Sequence, residues 1–106
     1  MKALRVVLFA GAANCSSCHS GSLFTDVNAG VLHSPAEVGQ DAAFANRSVT
    51  KRYRTTPLRG LLQHAPYFHD GKALTLADVV THYDNLFSLK LSAVQKADLV
   101  EYLKTL

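Results

Sequence analysis

Cysteine is scarce: the chain has two, so a zinc knuckle, which asks for a second pair of ligands at close spacing, finds none. Methionine is scarcer still. The only one is Met1, too distant in sequence to serve a site in the body of the chain. No apolar run approaches the roughly 20 residues that a membrane-spanning helix requires. The net charge is +3 over 106 residues with five histidines counted neutral, a mild excess rather than a nucleic-acid footprint. Paired carboxylates, a phosphate loop and a Ser-His-Asp pattern are missing, which leaves hydrolytic chemistry without its parts. Repeats and low-complexity tracts are absent, and nothing in the pattern requires a β-strand.

What is present is concentrated in Cys15-Ser16-Ser17-Cys18-His19, the Cys-x-x-Cys-His pattern of covalent c-type haem attachment. Two thiols three positions apart on a helical turn can add to the two vinyl groups of one porphyrin. A histidine directly after the second thiol then lies under the ring and offers a nitrogen to the iron. A thioredoxin-like redox pair is the other reading of Cys-x-x-Cys. It should follow a buried strand, whereas Cys15 follows the alanine-rich Ala12-Ala13-Asn14. Haem is therefore the reading to carry forward. With 48% hydrophobic residues, residues 1–106 make one compact domain with a small core, to which one covalent haem would add a large part.

Along the chain the pattern reads as helix, long irregular middle, then two helices. Met1-Lys2-Ala3-Leu4-Arg5 and the apolar stretch to Ala13 imitate a short signal peptide. Leu4, Val7 and Leu8 also repeat with helical spacing, and a first helix of the mature domain is the favoured reading. From Ser20 to about Leu74 the chain holds all three prolines and shows no sustained period. So long a loop is expected where a chain wraps a flat cofactor. Thr75-x-x-Asp78 then resembles a capping box, and Leu76, Val79, Val80, Tyr83 and Phe87 form one apolar helical stripe, with His82 about 100° off Tyr83. Ser92-x-x-Gln95 opens the last helix, which carries Leu99, Tyr102, Leu103 and Leu106 on one face. Arg47, Lys51, Arg52, Arg54 and Arg59 cluster in the middle, either as a solvated loop or as a cationic rim for haem propionates or an acidic redox partner.

Phe24-Thr25-Asp26, Thr56-Pro57-Leu58-Arg59-Gly60, Ala65-Pro66-Tyr67-Phe68-His69-Asp70-Gly71 and Thr75-Leu76 with Val79-Val80 and Tyr83 follow in that order. With the haem motif, they resemble the C-terminal haem domain of the bacterial di-haem cytochrome c peroxidase family, MauG-type enzymes included. The resemblance covers nearly the whole chain. It implies an all-α, cytochrome c-like fold: three or more helices and a long loop wrapped around one haem. It implies that His19 is the proximal iron ligand and that Arg59 sits near a haem propionate. The sixth ligand, methionine in the peroxidases and tyrosine in MauG-type proteins, falls on Tyr83 here. His69 is the next choice, and it could instead hold its own turn together through Asp70. The family carries two haem motifs and this chain one, so it is either the C-terminal half of a longer protein or a stand-alone domain.

The remaining residues read as structural. His33 and His64 are exposed or locally hydrogen-bonded, His82 faces solvent or the haem rim, and Asp26 caps or braces the turn after the haem motif. Tyr53 and Tyr67 pack, with hydroxyls reaching a loop carbonyl or a propionate. Two functions remain: an electron-transfer module, which is favoured, and the catalytic part of a di-haem peroxidase or MauG-type oxidoreductase. The expected partners are a redox protein or an adjoining haem domain, without nucleic acid or a membrane span. The attachment chemistry implies a periplasmic or otherwise exported location.

Overall fold

A computed structural model describes residues 7–68 and 70–106. Leu4 of the first-helix expectation, Met1 and His69 lie outside the described residues. The expected all-α, cytochrome c-like architecture is what forms. A helical turn over 7–10 (α1) opens the described chain. Ala43–Asn46 (α2) is a single turn, and Leu76–Phe87 (α3) and Ala93–Lys104 (α4) are the long helices. Between them run short 3-10 turns at Cys15–Ser17, Val27–Ala29 and Leu61–His64. Two isolated antiparallel bridges, His33 with Tyr53 and Tyr67 with Ala73, tie the irregular middle together.

Local sequence sets both long helices. The Thr75 hydroxyl accepts the Asp78 N–H at 3.2 Å while the Asp78 carboxylate accepts the Thr75 N–H. Ser92 and Gln95 repeat the exchange at the start of α4. Each box satisfies two N–H groups that the first helical turn otherwise leaves open. Thr75→Ala should lower stability by about 1 kcal/mol, read from the midpoint of urea unfolding.

Packing then divides the faces. Leu76 and Val80 of α3 and Leu99, Tyr102 and Leu103 of α4 are buried in one apolar cluster, which also takes Leu8 and Phe9 of α1. The Phe9 ring meets Tyr102 at 5.3 Å and Phe24 edge-on at 5.9 Å, so α1 is held between the last helix and the loop after the cysteine turn. Asp84, on the buried face of α3, clasps the two long helices. It accepts the Leu91 N–H at 3.0 Å and pairs with Lys96 at 3.0 Å. Those two partners, Leu91 first, hold its carboxyl below the usual carboxylate range.

One expectation is corrected. The α3 stripe is not a single buried face: Leu76 and Val80 are buried, Val79 and Tyr83 half-buried, and Phe87 is exposed. His82, read as solvent-facing or at the rim, is half-buried, with Nε2 2.9 Å from the Val38 carbonyl. Two neighbours cover α3 from different sides, α4 on one and the 35–41 loop on the other, so the burial spreads past one stripe.

Candidate functional site

After α1 the chain turns sharply at Asn14, which takes a left-handed conformation (φ 54°), one that asparagine tolerates better than most residues. The 3-10 turn Cys15–Ser17 follows, and the Cys15 carbonyl accepts the His19 N–H at 2.9 Å. Both cysteines are free and half-buried, and they share one turn with His19. Burial pushes the Cys15 thiol up to about 11 and also raises Cys18, so both stay protonated at neutral pH.

His19 is oriented by the loop that follows it. Its Nδ1 lies 2.9 Å from the Phe24 carbonyl. A carbonyl can only accept, so Nδ1 carries the proton and Nε2 keeps its lone pair. Burial lowers the His19 pKa, which keeps the ring neutral. Two thiols and one neutral imidazole with a fixed tautomer, all on one turn, form a donor set that fits a haem attached through thioethers.

Behind this turn lies a buried polar group that sequence patterns do not reveal. His33 is 6% exposed and sits between two carboxylates, with Nε2 2.7 Å from Asp26 and Nδ1 2.5 Å from Glu37. The "locally hydrogen-bonded" reading of His33 is the one the structure adopts. Asp26 holds this ring, and its side chain makes no cap on the Val27–Ala29 turn. The Cys18 sulfur, an Asp26 oxygen and a His33 nitrogen lie within 4.8 Å of one another. A free thiol there would complete a three-donor metal set; a thioether commits that sulfur elsewhere.

Burial works against a charged His33, but the Glu37 and Asp26 hydrogen bonds outweigh it and raise the ring above its ordinary 6.5. Glu37 is lowered, chiefly by His33. Asp26 is lowered as well, because hydrogen bonds from Thr55 and His33 overcome its burial. The raised imidazole contributes stability that is present below about pH 6.5 and lost as pH rises through its folded pKa. The lowered carboxylates contribute stability that is present above about pH 4 and lost as pH falls through theirs. Urea midpoints should therefore peak between these ranges, and His33→Asn should remove the fall on the alkaline side.

On α3, Tyr83 is half-buried among rings: His82 at 5.0 Å, Phe68 edge-on at 6.0 Å and Phe87 stacked at 6.0 Å. Burial first, then the Cys18 and Cys15 groups, push its hydroxyl up to about 12. Tyr83 thus lies within electrostatic reach of the cysteine turn. Arg59 is exposed. Its Nε donates to the Ser22 carbonyl at 3.0 Å and its guanidinium lies 4.9 Å over the Phe24 ring, so it secures the loop that orients His19. Tyr53 and Tyr67 hydroxyls donate to the Asp41 and Leu61 carbonyls, and His64 is exposed at the end of its 3-10 turn.

Known proteins match over most of this chain. The methylamine utilization protein MauG of Methylorubrum extorquens is 35% identical over 117 residues, covering 93% of this chain and 32% of its own length. MauG of Methylophilus methylotrophus is 28% identical, covering 89% of the chain and 32% of its own length. Cytochrome-c peroxidase IdrP2 of a Pseudomonas species is 28% identical, covering 93% of the chain and 37% of its own length. The chain thus spans about a third of the length of these curated relatives. No protein-family profile and no solved structure matches it. Together with the cysteine–histidine turn, these matches fit a domain of the family of MauG and the di-haem cytochrome c peroxidases.

Proposed function

We propose that this chain is a c-type cytochrome domain that holds one covalent haem and passes single electrons to a redox protein or an adjoining haem domain. The observation that carries the reading is the cysteine turn itself: two free thiols beside an imidazole whose Nδ1 is committed to the Phe24 carbonyl. When bound, the haem supplies an iron couple that accepts and releases one electron. Cys15 and Cys18 would anchor the group, and His19 would offer Nε2 to its iron. Tyr83 is the choice for a second protein ligand. An iron held by two protein ligands would leave no position for peroxide, which favours electron transfer over catalysis within residues 1–106. The attachment chemistry also argues for a periplasmic or otherwise exported protein. None of the described helices is long and apolar enough to cross a membrane.

The peroxidase name of one relative supports a second reading, in which this domain serves a larger di-haem enzyme. Purified haem-loaded protein decides between them. It should exchange electrons with small redox dyes and turn over hydrogen peroxide poorly. Steady peroxide consumption at an enzyme-like rate, on the order of 10 per second, would refute the module reading.

A further inference from the structure

The five cations between Arg47 and Arg59 exceed the chain's whole net charge of +3, so the rest of the molecule is mildly acidic. No aspartate or glutamate lies between Asp41 and Asp70. The structure divides the five. Arg59 turns back onto the loop that orients His19, through Ser22 and the Phe24 ring. Arg47, Lys51, Arg52 and Arg54 stay exposed, and among the described residues none of the four is in an ion pair. Glu37, which feels Arg52, is committed to His33 at 2.5 Å.

The backbone under these charges is fixed. Residues 52–56 alternate, with Tyr53 and Thr55 buried and Arg52, Arg54 and Thr56 exposed, so both arginines project from one outer ridge. Tyr53 exchanges two backbone hydrogen bonds of 2.8 Å with His33, and its hydroxyl donates to the Asp41 carbonyl. The Ser48 hydroxyl donates to the Ala45 carbonyl at 2.7 Å and accepts the Lys51 N–H at 3.0 Å. Arg47 lies 5.6 Å over the exposed Phe44 ring, and Val49 is fully exposed, so apolar surface sits among the charges. Arginine beside an exposed aromatic ring is a combination enriched where proteins meet. The ridge also backs onto the cysteine turn. His33, paired to Tyr53, holds Asp26 at 2.7 Å, and both side chains reach within 4.8 Å of the Cys18 sulfur. Short contacts thus join the ridge to the sulfur that would carry the haem.

We propose that Arg47, Lys51, Arg52 and Arg54 form the docking surface for an acidic redox protein, whose carboxylates they steer and orient. The inference rests on the electron-transfer reading above. In the docked pair one electron leaves the partner and reduces ferric haem iron to ferrous, and no bond is made or broken. A cationic ridge on a mildly acidic molecule also turns an acidic partner the right way round before contact, which raises the rate of productive encounter. An anionic membrane surface would meet the same charges, but it has no use for the connected path to Cys18.

The test follows reduction of the haem-loaded protein by stopped flow. The donors are a reduced acidic ferredoxin of the plant type and, as a cation, the methyl viologen radical. Wild type is compared at low and high salt with Arg52→Glu/Arg54→Glu and with the milder Arg52→Gln/Arg54→Gln. Lys90→Glu/Lys104→Glu makes an equal charge reversal elsewhere, and circular dichroism checks folding. At low salt the glutamate ridge variant should take electrons from ferredoxin at least about tenfold more slowly, within the range that charge steering commands, and the glutamine variant should follow in part. Near 1 M salt, where screening acts within roughly 3 Å, their rates should converge with wild type. Methyl viologen should not be slowed, and the lysine control should change far less. Unchanged ferredoxin rates in the ridge variants, or equal slowing in the lysine control, would overturn the proposal. Slowing that persists at high salt together with a shifted reduction potential would also overturn it and assign the arginines to the haem propionates. Ridge-dependent sedimentation with phosphatidylglycerol vesicles, with ferredoxin rates unchanged, would give the ridge to a membrane surface instead. A haem that neither donor reduces would remove the electron-transfer reading itself, and this proposal with it.

Discussion

Replacing Cys15 and Cys18 together by serine will leave the protein with no covalently attached haem. Both sulfurs are free and sit on the single turn that also carries His19, so each can supply one thioether to the same porphyrin. Serine keeps the size and the turn but cannot form that bond. Wild-type protein from a periplasm competent in haem maturation should keep its haem through acid–organic extraction and give a c-type pyridine haemochrome spectrum. The double variant should lose all of it to the organic phase. The fold should loosen as well, because Cys15 packs against the apolar cluster and the haem would add the rest of a small core. Protein made in the cytoplasm should resemble the variant. The reading would be falsified if wild-type protein matured in the periplasm carried no covalent haem.

Tyr83→Phe will change the ferric spectrum and raise the reduction potential while leaving the secondary structure intact. The two effects separate because the ring and the oxygen have different tasks. The ring is held by His82, Phe68 and Phe87, and phenylalanine keeps those contacts. The oxygen is a hard anionic donor once ionised, and such a donor favours ferric over ferrous iron. Burial pushes the hydroxyl up to about 12, so it ionises near neutrality only when a cation is there to bind it. His82 competes poorly for the position, since its Nε2 already faces the Val38 carbonyl at 2.9 Å. An unchanged spectrum, with a clear change in His69→Ala, would hand the role to His69.

The features legible in the sequence are those whose partners are near in sequence. Each capping box spans four residues, and both form. The His19 tautomer depends on Phe24, five residues on, and the compact Cys-x-x-Cys-His pattern already marks the turn. The face of α4 was readable because one neighbourhood buries it, whereas α3 has two, and a single-stripe reading faced His82 to solvent or the rim when the 35–41 loop half-buries it. The Asp26–His33–Glu37 group was not readable. Glu37 does fall four residues after His33, but that spacing signals contact only within a helix, and these residues form none.

The seating of Phe9 against Tyr102 also bears on the order in which the chain assembles. The α3–α4 hairpin joins segments that are close in sequence, through a short connection clasped by Asp84, and its closure loses little chain entropy. Joining α1 to α4 instead encloses nearly the whole chain, and such distant pairings form slowly. Loop closure thus favours a hairpin that forms first and a cysteine turn, directly after α1, that is captured later. In a chain that takes up the proposed haem, both thiols would then be open for its attachment until the first helix docks on the last.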